Sequence, residues 1–514
     1  MTLAAAVGGV ALAATFPPCG VWPLAFVSLV PLFLAANAAD ARGAARAGFA
    51  AGFAFHACAF GWIYTTCRYA GIVAPAAAFV WLLMAAFLAL PWAGAAALGR
   101  WLSAETPRAL RPWAWAVVWT AVAVAGERWT PRMPADLLAN MLWGNLAWLQ
   151  SLSWGGPHLL GFLLALVNAA FAEAWLDARE PRPGPAVAPL ACALGAFGLL
   201  WLHGTWTMLN RHSGGPSARA EILHPEVDQY AKWNRDRSDE VWAGLIELLD
   251  RPRVAAPALV VWPETSVPRW GEQEDEPVPE AEAAAKRSGG APLVGLVAHS
   301  AEGAHNAAQL LAPDGSFAGA YRKRELVPYG EYVPLRSVIP RWAVDRWFNI
   351  LDRFEDMGAG AKDQELLATA WGKASVTICY EALFPRWALR DAARGARVIV
   401  NVTNDGWYRG TRQPAQHFFV NALRAVETRS WLLRSANGGV SGVISPWGEA
   451  FAALPEGARG RLDADVPTTD HWPAGSWYVR HGDLIGTACL LLTALWAFWR
   501  ALAARKSHPA AGVA

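Results

Sequence analysis

Three polar residues follow short β-rich runs in this chain, and together they could carry out acyl transfer. Glu264 ends the run "LVVWPE", Lys323 follows "GAYR", and Cys379 ends "SVTIC". A carboxylate can take the proton of a thiol, the thiolate attacks a carbonyl, and an ammonium group stabilises the resulting oxyanion. Each residue alone is explained more simply, as a loop carboxylate, a surface amine or a small core hydrophobe. The set predicts a nucleophilic site.

Between residues 215 and 475, short β-rich runs alternate with amphipathic stretches. Strands that alternate with helices predict an α/β domain, which would position these three residues. A "PDGS" turn at 313–316 is expected to join two strands as a hairpin. Residues 413–434 have apolar side chains at helical spacing and predict a helix packed on the sheet. Strands are predicted at residues 259–262, 293–297, 317–322, 375–379 and 397–402.

The rest of the chain contains apolar runs of the kind that cross membranes. Of the 514 residues, 54% are hydrophobic and only 17% are charged, which is low for a soluble protein. A helix needs about 20 apolar residues to cross a hydrocarbon core. Eight spans are predicted, at residues 2–16, 22–37, 47–66, 71–99, 113–126, 157–175, 185–202 and 483–503.

Positive charges flank alternate spans and so predict the orientation. Most lie after the second, fourth and sixth spans or at the C-terminal end: Arg42, Arg46, Arg100, Arg108, Arg111, Arg179, Arg182, Arg500, Arg505 and Lys506. The positive-inside rule places both termini in the cytoplasm. The predicted domains are a transmembrane bundle of about seven helices at 1–205, an extracytoplasmic domain at 215–475, a C-terminal span at 483–503 and a cytoplasmic tail at 504–514. The net charge of +2 argues against a nucleic-acid partner.

The cysteines separate into two groups. Five lie in or beside predicted spans, and Cys379 is the only one in the large domain. An exported domain meets an oxidising compartment, where structural cysteines are expected in pairs. The single Cys379 is therefore interpreted as a nucleophile.

Two histidines are interpreted as structural. His56, in the third span, is expected to be hydrogen-bonded within the bundle, with a functional intramembrane group as the alternative. His417 has no metal-ligand spacing around it. No nucleotide-binding fingerprint or cysteine–histidine cluster is found, so no cofactor or metal is predicted.

Longer motifs carry a family resemblance. "WPE", "YRKRELVPYGEYVP" and "CYEALFP", in this order, resemble the Glu-Lys-Cys signature of the nitrilase (carbon–nitrogen hydrolase) superfamily. "NVTNDGWYRGTRQPAQH", "RAVETRSWLLRSANGGVSGVI", the N-terminal "FPPCGVWPLAFVSLVPLFLA" and the flanking spans narrow the resemblance to bacterial apolipoprotein N-acyltransferases. It implies a membrane α-helical bundle of about eight spans plus a nitrilase-like α-β-β-α sandwich.

The same resemblance implies a function. A fatty acyl chain passes from a phospholipid, through a cysteine thioester in a ping-pong reaction, to the N-terminal α-amine of a diacylated apolipoprotein. This is the last step of lipoprotein maturation. The expected protein is a monomer in the bacterial inner membrane, with its catalytic domain facing the periplasm and no cofactor.

Roles are also implied residue by residue. Cys379 is the nucleophile, Glu264 the general base, and Lys323 the oxyanion-stabilising cation, together with the backbone N–H that follows the cysteine. The matching supporting residues are Glu331, Tyr380, Glu381 and Asn306. The matching substrate-binding aromatic residues are Trp233, Trp407 and Tyr408.

Some segments depart from the family pattern. "EILHPEVDQYAKWN" replaces a Gln-Gly/Pro-Asn motif after the first strand of the domain, and "TPRMPADLLANMLWGN" keeps only fragments of a Gly-Phe-Pro-Trp type motif. These departures indicate a divergent member and leave the lipid donor and the shape of the acceptor cleft open.

Two other functions remain open from the residues alone. One is a membrane-tethered carbon–nitrogen hydrolase that uses the same three residues with water as acceptor. The other is a transport or scaffold protein whose outer domain only binds lipid or lipoprotein. A binding module does not need a thiolate, and a soluble amidase does not need eight spans, so acyl transfer is favoured.

Overall fold

The computed structural model divides into two compact units, Met1–Asn210 with His481–Ala514, and Arg211–Arg480. The residues described exclude 18, 130–132, 180–186, 212–213, 233, 268–276, 278, 335, 337, 339–355, 469–474 and 508–514. Trp233, predicted to bind substrate, therefore lies outside the described residues.

The first unit is helical. Its long helices are rich in alanine, and α3 is capped at its N-terminus by Asp40, whose carboxylate accepts a hydrogen bond from Gly43 N–H at 2.8 Å. The helices are α1 Thr2–Ala13, α2 Val30–Asn37, α3 Ala41–Ala59, α4 Trp62–Tyr69, α5 Ala74–Ser103, α6 Arg111–Trp129, α7 Leu146–Leu149, α8 Leu152–Asp177, α9 Val187–Leu209 and α16 Leu484–Ser507.

Four helices among the described residues are long and apolar enough to cross a membrane: Ala74–Ser103, Leu152–Asp177, Val187–Leu209 and Leu484–Ala503. Helices α3 and α4, which meet at a bend of 50°, make a fifth if they count as one span. The first two predicted spans coincide with shorter apolar helices. The helical region thus contains four or five apolar candidate spans.

His56 is fully buried in this unit, as expected of a satisfied core histidine. Its Nδ1 lies 2.6 Å from the carbonyl oxygen of Gly52, and its Nε2 lies 3.2 Å from Asp136 Oδ2. The ring is therefore hydrogen-bonded on both sides, which offsets the cost of burying a polar group.

The second unit contains two six-stranded sheets in the orders β12-β1-β2-β3-β4-β5 and β11-β10-β9-β8-β7-β6. Strands β1, β2 and β3 are parallel, as are β7, β8 and β9. The strands are β1 Ser217–His224, β2 Leu259–Val261, β3 Ala291–Ser300, β4 Gly303–Leu311, β5 Phe317–Arg322, β6 Leu367–Thr369, β7 Gly372–Ile378, β8 Ala396–Asn404, β9 Trp431–Asn437, β10 Ser441–Ile444, β11 Ala450–Leu454 and β12 Gly460–Pro467.

The two sheets share one apolar core and carry helices on their outer faces. Ile222 and Val261 of the first sheet belong to the same buried cluster as Val376 and Val400 of the second. A second cluster packs helix α11 and helix α12 on the first sheet. The helices of this unit are α10 Gln229–Lys232, α11 Ser238–Leu249, α12 Pro279–Ser288, α13 Pro385–Ala393, α14 Gln413–Thr428 and α15 Trp477–His481.

Two predicted boundaries were wrong, and one predicted hairpin is confirmed. The helix predicted over 413–434 ends at Thr428, because Arg429 adopts a left-handed conformation (φ +58°), and strand β9 begins at Trp431. The strand predicted over 375–379 ends one residue earlier, at Ile378, and Cys379 begins a short 3-10 helix. The turn at 313–316 joins β4 to β5 as an antiparallel hairpin, as expected, although β4 was not among the predicted strands.

Candidate active site

Glu264 follows β2 at the carboxyl end of the parallel strands, where α/β sheets commonly hold their sites. Its turn packs on β3 at Gly295, where a Cβ atom would lie 2.4 Å from the oxygen of Pro263 and 2.7 Å from the Cα of Glu264. The ammonium group of Lys232 donates to the main-chain oxygen of Glu264 at 2.8 Å. A glycine at 295 and a buried lysine therefore hold the main chain from which the Glu264 carboxylate extends.

Lys323 follows β5 and is 1% exposed. Its Nζ lies 2.8 Å from Glu331 Oε1 and 3.3 Å from Glu264 Oε1. Burial alone would lower the pKa of this ammonium, but the two carboxylates outweigh it and raise the pKa well above its usual value. Lys323 is therefore a fixed positive charge.

Asn306 joins the two carboxylates that share Lys323. Its Nδ2 donates to Glu264 Oε1 at 2.6 Å and to Glu331 Oε1 at 2.8 Å. The other oxygen of Glu331 accepts from Val327 N–H at 2.8 Å. Glu264 and Glu331 thus both act as hydrogen-bond acceptors in this cluster.

Cys379 lies at a sharp turn immediately after β7. Its φ of +50° is in the left-handed region, which a residue with a Cβ atom rarely adopts. The carboxylate of Glu381 supports the turn, because its Oε2 accepts from Ile378 N–H at 2.6 Å. Its Oε1 accepts from Tyr321 Oη–H at 2.8 Å and from Arg324 N–H at 2.5 Å. Glu381 thus ties the end of β7 to the segment that follows Lys323.

The environment of Cys379 keeps its thiol protonated. Burial, and then the charge of Glu264, raise the pKa of the thiol to about 12, against the opposing effects of Lys323 and a hydrogen bond with Thr403. Almost no thiolate exists at neutral pH under these conditions. A nucleophilic reaction at Cys379 therefore needs a base that takes the proton as the attack proceeds.

A second buried network lies on the other side of the cysteine. The carboxylate of Asp405 accepts from Arg434 Nη2 at 2.7 Å, and His417 Nδ1 lies 2.9 Å from its other oxygen. His417 Nε2 lies 3.0 Å from the main-chain oxygen of Cys379. Burial alone would raise the pKa of Asp405, but His417 and Arg434 outweigh it and lower that pKa below its usual value.

Cys379 Sγ, a carboxylate oxygen of Asp405 and a ring nitrogen of His417 lie within 4.8 Å of one another, a donor set that zinc can use. However, Asp405 already accepts from Arg434. Both nitrogens of His417 also face acceptors. The three residues are thus arranged as a hydrogen-bond network around the thiol and do not converge on an ion position.

Aromatic residues surround this region. Tyr380, Trp407 and Tyr408 are half-buried, and the Tyr380 ring packs edge-on against Phe384 with centroids 5.1 Å apart. Burial, followed by the charges of Cys379 and Asp405, raises the pKa of the Tyr408 phenol. Trp407 and Tyr408 lie in a short 3-10 helix, Asp405–Tyr408, that follows β8.

The sequence analysis missed four residues of these networks. Asp405 and Arg434 were not singled out, although Asp405 follows a predicted buried strand in the same way as Glu264 and Cys379. Lys232 was overlooked: burial lowers the pKa of its ammonium to about 7, against the charges of Glu264 and Cys379. His417 was interpreted as structural only, and no signal in the sequence indicated that its ring faces Cys379.

Comparisons with known proteins identify both parts of the chain. The family model for carbon–nitrogen hydrolase matches residues 229–473, and the one for the apolipoprotein N-acyltransferase N-terminal domain matches residues 8–170. Two curated relatives, both apolipoprotein N-acyltransferases, match nearly the full length. The one from Azotobacter vinelandii is 32% identical and the one from Geobacter metallireducens is 30% identical, each with 95% of this chain and 93% of the relative covered.

Among solved structures, a CN-hydrolase superfamily protein from Xanthomonas campestris is 18% identical, with 49% of this chain and 91% of that chain covered. Its TM-score is 0.38, and at that value the likeness carries no argument.

Proposed function

Because this chain belongs to the apolipoprotein N-acyltransferase family, we propose that it moves a fatty acyl chain from a phospholipid to the N-terminal α-amine of a diacylglyceryl-cysteine. The acyl chain is carried between the two substrates as a thioester of Cys379. Glu264 is the general base, and Lys323 stabilises the oxyanion together with the N–H of Tyr380.

In the first half-reaction, Glu264 takes the proton of Cys379 while Sγ attacks the ester carbonyl of the phospholipid. The carbonyl oxygen becomes an oxyanion that Lys323 and Tyr380 N–H stabilise. The C–O bond then breaks, the proton passes from Glu264 to the departing oxygen, and a lysophospholipid leaves. The product is the acyl thioester.

In the second half-reaction, the α-amine of the acceptor attacks the thioester carbonyl and Glu264 takes a proton from the nitrogen. The C–S bond breaks, the amide leaves, and the thiol of Cys379 regains its proton. An amide is much less reactive than a thioester, so this step runs in one direction.

The observation that supports this proposal most strongly is the buried cluster of Glu264, Lys323, Glu331 and Asn306, combined with a thiol whose pKa is about 12. Such a thiol cannot attack by itself at neutral pH. A carboxylate and a cation whose charges act on that thiol are the two groups that base-assisted attack requires. Glu381 and Glu331 then hold the nucleophile and the cation in place.

We infer eight spans, with both termini in the cytoplasm and the catalytic domain of residues 215–475 in the periplasm of a bacterium whose inner membrane holds the protein. A tether of this kind raises the effective concentration of a membrane lipid at the nucleophile. We also propose that the protein acts as a monomer and that Trp407 and Tyr408 contact the lipid.

The test is intact-protein mass spectrometry. The purified protein, incubated with phosphatidylethanolamine or phosphatidylglycerol, is expected to gain the mass of one fatty acyl group on Cys379, and hydroxylamine should remove it. A diacylated lipopeptide added afterwards should become N-acylated while the adduct disappears.

Cys379→Ala is the matched control and should show neither adduct nor product. Ammonia release from small amides without lipopeptide acylation would instead favour a carbon–nitrogen hydrolase. Lipid binding without any adduct would favour a non-catalytic binding protein.

A further inference from the structure

His417 is a buried imidazole behind the nucleophile, and the steps above do not use it. Its side chain is 3% exposed. Nδ1 lies 2.9 Å from Asp405 Oδ1, and Nε2 lies 3.0 Å from the main-chain oxygen of Cys379. His417 is the fifth residue of α14, which packs on the 3-10 helix that Cys379 begins.

Both partners of the ring are acceptors. The carbonyl of Cys379 has no proton to give, so Nε2 donates to it. His417 and Arg434 lower the pKa of Asp405 despite its burial, and this carboxylate orients the ring from the side of Nδ1. With Nε2 donating to the carbonyl and Nδ1 facing Asp405, neither ring nitrogen is placed to take the proton of the thiol, so a role as general base is excluded by the geometry.

The contact at the carbonyl has a consequence for the next residue. The carbonyl of Cys379 and the N–H of Tyr380 belong to one peptide unit, which is planar and trans, so the two groups point in opposite directions. Whatever fixes the direction of the carbonyl also fixes that of the N–H. Because Cys379 is held at φ +50°, a left-handed conformation, its peptide needs contacts from outside the turn to hold it.

We propose that His417 is a positioning residue that holds the Cys379–Tyr380 peptide with its N–H directed at the oxyanion of the acyl-transfer intermediates. This inference rests on the proposed function, in which that N–H and Lys323 share the oxyanion. Asp405 orients the ring, and Arg434 holds Asp405. The series of hydrogen bonds from Arg434 through Asp405 and His417 to the Cys379 carbonyl thus supports the oxyanion site.

Two substitutions separate the two contacts of the ring. In His417→Gln the side-chain amide nitrogen can occupy the place of Nε2 and still donate to the Cys379 carbonyl. In His417→Asn the amide nitrogen takes the place of Nδ1, so only the contact with Asp405 survives. We expect His417→Gln to stay within about tenfold of the wild-type rate of thioester formation and His417→Asn to fall by about 10²-fold, the cost of a small displacement of a catalytic group.

In His417→Asn, the maximal rate of thioester formation (kcat) should fall. The phospholipid concentration that gives half of the maximal rate (KM) should stay the same. Both half-reactions should slow by a similar factor, because each passes through an oxyanion. Leu423→Ala, which empties a fully buried position on the same helix, controls for loss of stability. It should lower the unfolding temperature at least as much as His417→Asn does and keep nearly full activity at a permissive temperature.

Equal losses in His417→Gln and His417→Asn would overturn the proposal, as would a loss confined to the first half-reaction or one that Leu423→Ala reproduces. The wild-type protein and Cys379→Ala are measured alongside. A wild-type protein that forms no thioester would contradict the proposed function itself, and that outcome is distinct from a failure confined to His417.

Discussion

At the scale of single residues, the site shares one buried cation between two carboxylates. Lys323 contacts both Glu264 and Glu331, and Asn306 donates to the same oxygens that face the lysine. Burying an unpaired charge is costly, so one of these groups cannot be removed without effects on the others. Variants of this cluster are therefore best distinguished by how their rates of thioester formation change with pH.

The first prediction concerns Glu264→Gln. The rate of thioester formation should fall by ~10²–10⁴ at pH 7, the usual effect of losing a general base. Without a base, attack depends on preformed thiolate. Because the pKa of Cys379 is about 12 in the wild-type site, and removing the Glu264 charge lowers it, the thiolate fraction is small at pH 7 and grows as the pH rises.

The residual rate of Glu264→Gln should therefore rise about tenfold for each unit between pH 7 and pH 9. The wild-type rate should change little over that range, because Glu264 takes the proton during the attack and the reaction does not depend on preformed thiolate. Quenched mass spectrometry of the thioester measures both profiles. Parallel profiles for the two proteins would remove Glu264 from the role of base.

The second prediction concerns Asn306→Asp. The change replaces a donor to two carboxylates with a third carboxylate beside one ammonium group. Like charges in contact raise the pKa of one member of the cluster, so a proton is retained at neutral pH and the base is weakened. We expect at least a tenfold lower rate at pH 7 and a partial recovery at pH 9. Asn306→Ala, which adds no charge, should show no such recovery, and recovery in both variants would contradict the explanation.

At the scale of elements, the turn between β9 and β10 supports the residues that follow β8. Gly439 has a φ of +72°, and a Cβ atom there would lie 2.7 Å from Asp405 Oδ2. Because Gly439 has no side chain, the carboxylate of Asp405 can lie against this turn. In that position Asp405 orients the ring of His417 so that Nε2 contacts the Cys379 carbonyl.

The third prediction follows from that contact. Gly439→Ala should lower the unfolding temperature through backbone strain of about 1–2 kcal/mol and through the clash with Asp405, and it should slow thioester formation. Gly395→Ala is the matched control, since Gly395 also has a positive φ (+100°) but no neighbour within 4 Å of the added Cβ. It should lose some stability and keep its activity. Equal activity losses in both variants would show that the contact with Asp405 has no functional importance.

At the scale of the whole molecule, the fourth prediction concerns topology. A reporter fused after residue 180 should be cytoplasmic, and one inserted near residue 275, in the acidic sequence "EQEDEPVPEAE", should be exported. Cysteine accessibility or a periplasmic enzyme reporter measures this. A cytoplasmic signal near residue 275 would contradict the eight-span topology and the compartment argument about Cys379.

The sequence by itself determined the class of the domain and the family, and it singled out Glu264, Lys323 and Cys379 as candidates for the chemistry. Long hydrophobic runs need only length and composition to be identified, and the helices that pass that test coincide with predicted spans. Glu264 and Cys379 were identified because polar residues at the ends of buried strands stand out against their neighbours. Period and composition are local properties, so they can be read from one segment at a time.

Only the tertiary structure decided which groups face the thiol from distant parts of the chain. His417 and Arg434 are 38 and 55 residues from Cys379 in the sequence. Nothing in the sequence next to either residue indicated that His417 would contact Cys379 or that Arg434 would contact Asp405. The same holds for Lys232, which reaches the main chain of Glu264 from helix α10. The end of helix α14 at Thr428 was also not predicted, because the apolar side chains at 431–433 fit both a helix face and a buried strand. Pairing of β9 with β8 and β10 decides between the two. Contacts of this kind depend on how strands are ordered in a sheet, and that order is a property of the whole packed domain.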